Sequence, residues 1–341
     1  MMRAVHYTGA GALEVADVED RPPGPGQVTV DVAYTGICGT DLHVLHGEMD
    51  ARVTTPAVLG HEMSGRVRSV GTGVAGWATG DPVTVMPLRW CGSCPACRRG
   101  FSHVCQRLDF VGIDSPGSLQ ERWTVPAELL VRLPDGLALR AAALVEPTAV
   151  AVHDVRRAAP RPGERALVVG AGPVGLLVAL VARAAGAEPL VAEVDAVRRH
   201  QAQALGLQVV DPGAASVPEV VAQWSAGAGA DLAFEVSGSG PGLDDAVQSL
   251  AVRGRLVVVG IHPQPRPVDL FRVFWRELTL LGARVYERAD VERAVGLVAD
   301  GVVPADRLVT RVVPLEEAPD AFARLDAGGE LKVLVRCGSD G

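Results

Sequence analysis

No stretch of 18 or more apolar residues occurs in the 341-residue chain, which argues against a membrane-spanning helix. The longest apolar run, Val174 to Ala182, stops at Arg183. Met1 to Asp20 lacks the basic start and apolar core of a signal peptide, so a reducing cytoplasm is the expected compartment and paired disulfides are not expected. No run of lysine or arginine exceeds two and the formal net charge is −8, so the basic surface that nucleic acid requires is missing. Aromatic residues make up only 4% of the chain, which disfavours a ring-lined slot for a bulky apolar ligand. Small polar molecules are the expected partners. What the chain does have is length for about two domains and, at 48% apolar residues, enough material for two cores.

Four of the six cysteines fall within fifteen residues, at Cys91, Cys94, Cys97 and Cys105. Gly92 and Pro95 between them allow tight turns that bring sulfurs onto one ion. A closed thiolate cage with Zn–S bonds near 2.3 Å is what a structural zinc site requires. Short runs of this kind also ligate iron–sulfur clusters, but no proline follows the fourth cysteine and the rest of the chain points to hydride chemistry. With all four positions filled by protein, this metal supports a loop and reacts with nothing.

A second set of donors is dispersed. Cys38 lies in Gly36–His43 (GICGTDLH), His61 in Leu59–Gly65 (LGHEMSG), and Glu146 in Leu144–His153 (LVEPTAVAVH). One thiolate, one imidazole and one carboxylate leave a fourth tetrahedral position for water or a substrate oxygen, as catalytic zinc requires. Each also reads singly as a buried cysteine, a core histidine or a surface glutamate. Thr40 and His43 stand two and five residues past Cys38, within reach of one site. Glu62, next to His61, is a supporting group or a substitute ligand. His46, His103 and His153 read as structural or surface residues.

Ala166–Val169 reads as a strand that ends in Gly170–Gly175 (GAGPVG), and the apolar run after it reads as a buried helix through Gly186. In that context the glycines have separate duties. Gly170 permits the tight turn, Gly172 the approach of a pyrophosphate to the helix N-terminus, and Gly175 close packing of helix on strand. Pro173 suits the first helical position, with Val174 beside it. Glu193 lies 18 residues beyond Gly175, where a carboxylate accepts hydrogen bonds from ribose hydroxyls and opposes a 2′-phosphate. That favours NAD, while Arg198 and Arg199 keep NADP open. Further strands are expected at Gln208–Asp211, Asp231–Val236, Arg255–Gly260 and Leu278–Leu281, with helices at Val217–Trp224 and Asp244–Val252. Six strands in two halves give a doubly wound sheet. Residues 1–150 instead carry short β-rich runs among glycines and prolines. A helix at Val291–Ala299 and a strand at Leu331–Val335 place the tail with this first domain.

Taken together, these motifs resemble the zinc-dependent medium-chain dehydrogenase/reductase family along essentially the whole chain. The resemblance rests on GICGTDLH, Gly60–Glu62 (GHE), the four-cysteine lobe, Val145–Pro147 (VEP) and GAGPVG. Glu146, Glu193, Val257–Pro263 (VVVGIHP) and Val268–Leu270 (VDL) look most like the 2,3-butanediol, sorbitol and threonine dehydrogenase branch. Gly117–Trp123 (GSLQERW) departs from a Gly-Gly-Phe-Ala-Glu pattern frequent among relatives. The resemblance implies an α/β fold in two domains. A GroES-like β-rich catalytic domain (1–151 and 286–341) carries the zinc lobe 91–105, a Rossmann domain spans 152–285, and an active site lies in the cleft between. It implies a catalytic zinc on Cys38, His61 and Glu146, with Glu62 as alternate ligand, and a structural zinc on Cys91, Cys94, Cys97 and Cys105. NAD(H) is preferred, with NADP(H) open, at Gly170, Gly172, Pro173, Val174, Gly175, Glu193 and Arg198. The zinc polarises the substrate oxygen, and the proton leaves through Thr40, the cofactor ribose and His43. The implied activity is oxidation of a secondary alcohol, a vicinal diol or polyol, to its ketone by a dimer or tetramer. Threonine-type amino-alcohol oxidation is the runner-up. A zinc-ribbon scaffold or a zinc-free reductase on the same fold are the rivals.

Overall fold

The computed structural model describes residues 1–338. Two compact units form: Met1–Glu146 together with the chain from Glu287 onward, and Pro147–Tyr286 between them.

In the first unit, alternating valines in Gln27–Gly36 build the central strand of a seven-stranded sheet. Its order runs Leu130–Arg132, Pro82–Val85, Glu62–Val70, Gln27–Gly36, Lys332–Arg336, Val309–Pro314, with Arg122–Pro126 added to the central strand. Val28, Val30 and Val32 bury in a core with Met63, Val67, Trp123 and Val335. A smaller sheet holds Ala12–Val18, Met2–Gly9 and Ala57–Val58. Lys332–Arg336 lies antiparallel to the central strand, with Leu334 opposite Gly36, so the chain's end returns beside the Cys38 turn.

The second unit is a six-stranded, all-parallel sheet in the order Gln208–Val210, Glu188–Ala192, Arg165–Val169, Ala230–Glu235, Leu250–Val258, Thr279–Gly282. This is the doubly wound Rossmann order, whose switch point lies between Arg165–Val169 and Ala230–Glu235. The helix expected at Asp244–Val252 instead runs Gly240–Ser249. Ser239 caps it by accepting from Gly242 N, which starts it earlier, and Leu250 turns to extended backbone and opens a strand. Three apolar residues at a boundary carry no period to separate helix from strand. The tail also holds the strand Val309–Pro314 and the helix Ala318–Asp326, both beyond the sequence reading.

Candidate active site and metal centres

Cys38 caps the helix Gly39–Leu45. Its Sγ accepts from Thr40 N at 3.5 Å, and Asp41 Oδ2 accepts from Cys38 N at 2.9 Å, a reciprocal box that fixes the thiol's direction. Antiparallel pairing sets Gly36 opposite Glu62, and that register carries His61 and Glu62 to the Cys38 turn. Donor atoms of Cys38, His61 and Glu62 all lie within 4.8 Å of one another. Asp41 is buried behind them, its Oδ1 3.6 Å from His61 Nδ1, too far for a hydrogen bond. Burial opposes a charge on His61, but Asp41, Cys38 and Glu146 together hold its pKa well above the usual value. Burial pushes the Asp41 carboxyl up, only partly countered by His61 and the Cys38 N–H.

Lys332 closes the back of this group. It is 2% exposed against 1% for Glu62, its Nζ donates to Ile37 O at 3.0 Å, and it forms an ion pair with Glu62 Oε2. Burial works against the ammonium, yet Glu62 and Cys38 raise its pKa above the ordinary lysine value. Glu146, in the first turn of Val145–Ala158, is buried too. It stands outside the closest three donors, and its charge raises both His61 and Lys332. Asp41 and Lys332 are the functional residues that the sequence reading missed. A signal for the second existed in composition: of 32 lysines and arginines, Lys332 alone is lysine.

Thr40 and His43 are three residues apart on one helix and so share a face. His43 Nδ1 meets Glu48 Oε2 at 2.6 Å with both side chains partly in solvent. His46 pairs with Asp326 at 2.9 Å and His103 approaches Glu287 at 3.5 Å, while His153 is buried with Arg156 at 3.2 Å from its ring.

The cysteine lobe gathers all four sulfurs. Sγ–Sγ separations are 3.4 Å for Cys94–Cys97, 3.8 Å for Cys94–Cys105 and 3.5 Å for Cys91–Cys105. A tetrahedron with 2.3 Å bonds has edges of about 3.8 Å, whereas a disulfide needs about 2.05 Å. Backbone N–H groups of Cys94, Cys91 and Arg107 point at the sulfurs of Cys91, Cys105 and Cys105, as suits thiolates. The Ser93 N–H and the Arg107 side chain lower the Cys91 thiol to about 5. These donors fit a thiophilic dication held by four sulfurs.

In the second unit, Gly170 has φ +102, and a Cβ on Gly175 would stand 2.0 Å from Gly170 O, so no side chain fits there. A Cβ on Gly172 would meet nothing within 4 Å. That open space lies over the N-terminus of Pro173–Ala184, where unpaired N–H groups favour an anion. Pro173 and Val174 form the helix's first turn. Glu193 is buried beside the loop, with Oε2 accepting from Ala171 N at 2.6 Å and Oε1 from Asp195 N at 2.8 Å. Arg199 is committed to Glu193 O, Val194 O and Asp211, whereas the Arg198 contact is its backbone N–H on Asp195. Across the switch point, buried Glu235 accepts from Ser237 N and Gly238 N at 2.9 Å and from His262 Nε2 at 2.8 Å, tying two loops at the strand ends. The geometry fits a dinucleotide.

A parallel sheet with a phosphate-binding turn, joined in one chain to a β-rich unit holding two groups of metal donors, defines a zinc- and nicotinamide-linked dehydrogenase. Family models agree: residues 24–135 match the alcohol dehydrogenase GroES-like domain and residues 173–300 the zinc-binding dehydrogenase domain. The chain belongs to the zinc-dependent medium-chain dehydrogenase/reductase family, and it is an enzyme of the alcohol dehydrogenase type. It is 46% identical to 2-dehydro-3-deoxy-L-galactonate 5-dehydrogenase of Pseudoalteromonas atlantica over 99% of this chain and 100% of that one. Among solved structures, it resembles 2R,3R-butanediol dehydrogenase from Bacillus subtilis at 32% identity and TM-score 0.91, covering 98% and 99% of the two chains. A protein of Sinorhizobium meliloti 1021, described as a zinc-binding dehydrogenase bound to NADP, is similar at 34% identity and TM-score 0.94, also covering 98% and 99%. Membership of this family excludes the scaffold reading. Among the described residues no helix is long and apolar enough to cross a membrane.

Proposed function

We propose that the chain interconverts a secondary alcohol flanked by a further hydroxyl, in a diol, polyol or sugar acid, with its ketone, using zinc and NAD(H). The observation that carries this is the donor set itself: a half-buried thiolate beside a buried imidazole and two buried carboxylates, a more polar wall than paired thiolates provide. In our reading Cys38, His61 and Glu146 hold one zinc and the four-cysteine lobe a second. When bound, the first zinc supplies a Lewis acid and the nicotinamide ring a hydride acceptor. Thr40 offers its hydroxyl as the first carrier of the substrate proton, and His43, partly in solvent, releases that proton to water. Glu193 sets the cofactor choice through its charge.

The named activity of the 46% identical relative supports the substrate class: carbon 5 of a galactonate chain is a secondary alcohol between hydroxyl-bearing carbons. None of the named relatives supports the threonine reading. The test is kcat/KM with NAD across 2-dehydro-3-deoxy-L-galactonate, sorbitol, 2,3-butanediol, threonine, 2-butanol and ethanol. A site built to hydrogen-bond the neighbouring hydroxyl rejects the mono-alcohols, and a clear preference for ethanol or 2-butanol would overturn the assignment.

We also propose a homo-oligomer joined through the second unit. Leu270, Phe271, Phe274 and Trp275 are 71–75% exposed on one short helix, with Phe271 stacked on Trp275 at 5.8 Å. Beside them Thr279–Gly282 is the sheet's last strand. Three aromatic side chains at that exposure offer roughly 350–500 Å², about half of one partner's share of a standard interface. A second copy supplies both an apolar face and a strand edge.

A further inference from the structure

The helix Gly39–Leu45 has Cys38 at its start and His43 near its end, and the way it stops has a chemical result. Gly47 N donates to Val44 O at 2.9 Å and Glu48 N to His43 O at 3.0 Å, with Gly47 at φ +77. This is the left-handed helix stop in which the residue after the glycine bonds back to the residue five positions before it. An apolar contact often joins those two places and shields the helix end. Here they hold Glu48 and His43, and Glu48 Oε2 stands 2.6 Å from His43 Nδ1. The two residues are thus joined twice, once through backbone and once through side chains.

A carboxylate only accepts hydrogen bonds, and a neutral imidazole has one N–H and one bare nitrogen. The contact therefore puts the ring proton on Nδ1 and leaves Nε2 bare. The other charged groups around this turn are occupied elsewhere. Asp41 accepts from Cys38 N at 2.9 Å, and His46 pairs with Asp326 on the helix Ala318–Asp326 at 2.9 Å. Asp50 accepts from Tyr7 Oη on the strand Met2–Gly9 at 3.3 Å, and Arg52 pairs with Asp114 at 2.7 Å.

We propose that Glu48 is a positioning residue for His43. It fixes the tautomer that keeps Nε2 free to take up the substrate proton, and its charge then faces the imidazolium until that proton passes to water. The inference rests on the proton route proposed above and adds the group that orients its last carrier. Glu48 acts through His43 and touches neither substrate nor cofactor.

The test uses the full-length zinc enzyme. Glu48→Leu returns an apolar residue to this helix stop, so a purely structural role predicts an unchanged or higher melting temperature and full activity. Positioning predicts that the first turnover, followed as NADH absorbance by stopped flow, slows about 3- to 10-fold. That is the low end of general-base effects, because the two side chains are 38% and 53% exposed. Dissociation constants for NADH and the alcohol should not change. Glu48→Gln should recover most of the rate, since its amide oxygen still accepts from Nδ1–H. Nitrogen-15 spectra of histidine-labelled enzyme, with His43 assigned by its loss in His43→Ala, should show the proton on Nδ1 in wild type and a mixture of tautomers in Glu48→Leu. Wild-type speed in Glu48→Leu, a Glu48→Gln no faster than Glu48→Leu, or a wild-type ring carrying its proton on Nε2 overturns the proposal. Should Glu48→Leu not fold, the wild-type tautomer alone decides. If His43→Ala turns over as fast as wild type, the proton route itself falls, whereas a slow His43→Ala beside a fast Glu48→Leu removes only the role of Glu48.

Discussion

Glu193 gives the sharpest handle on cofactor choice, because its carboxylate has two duties. One is the proposed contact with the cofactor, where removing a charge-assisted hydrogen bond to a ribose hydroxyl would cost about 1.5–3 kcal/mol, or roughly 10- to 150-fold in NAD affinity. The other is internal, since both oxygens already accept from Ala171 N and Asp195 N. Glu193→Ala therefore also strands a buried N–H of the phosphate loop, at about 1–3 kcal/mol, and should weaken even plain ADP. Glu193→Gln separates the effects: its amide oxygen keeps the acceptor for Ala171 N, the charge is removed, and the acceptor that is lost is the one for Asp195 N, outside the phosphate loop. A phosphate 4 Å from a carboxylate is repelled by about 4 kcal/mol at an effective dielectric near 20, so neutralising Glu193 should relieve most of the discrimination against NADP. Arg199 does not assist the gain, being tied to Asp211 at 2.8 Å and to two carbonyls; Arg198 is the residue left to meet a 2′-phosphate. The assay is kcat/KM with NAD and NADP, alongside ADP binding by calorimetry. Glu193→Gln should move the NAD:NADP ratio by at least about tenfold toward NADP while ADP affinity stays within about twofold. Wild-type use of NADP equal to NAD, or a ratio unmoved in Glu193→Gln, would refute the reasoning.

Cys38→Ala should abolish turnover with NADH binding intact, whereas Cys97→Ala should lower the melting temperature and release one zinc, because ligand loss in a closed site withdraws folding energy; metal analysis and thermal melts check both. His61 in the metal-free protein has a raised pKa, so its protonated form stabilises the fold fully below about pH 6.5 and loses that contribution as pH rises through the raised value. Zinc needs the neutral ring, so zinc affinity at this site should rise with pH over the same range, with proton release measurable in weakly buffered titrations; a flat pH profile would count against the assignment. Phe271→Asp with Trp275→Ser should convert the oligomer to monomers by light scattering, with each monomer still binding NADH, and an unchanged mass would place the interface elsewhere.

What the sequence made legible follows the distance over which the information travels. The four lobe cysteines sit within fifteen residues, so turn chemistry alone can gather their sulfurs, and the glycines of Gly170–Gly175 act within one strand, turn and helix. Strand–helix alternation likewise yields the parallel sheet. Lys332 reaches Ile37 across 295 positions, through a strand pairing that no local pattern encodes, and Asp41 shows no duty within GICGTDLH because its burial behind His61 is a tertiary fact. The exposed helix Leu270–Trp275 shows the converse limit: an apolar segment reads as core material, and only the folded unit shows that its rings face outward.

A single lysine also turns the chain into its own reporter. A lysine-specific protease has one bond to cut, between Lys332 and Val333, and both residues are buried in a strand held between Gln27–Gly36 and Val309–Pro314. Where opening is fast relative to cleavage, the cutting rate measures the population of molecules in which that strand has come away. One scission thus reads the local stability of the strand behind the active site, without label or engineered probe. The same scarcity leaves amine-directed reagents with the α-amino group and one inward-facing ammonium, so the folded enzyme should resist crosslinkers and acylating agents that modify lysine-rich proteins readily.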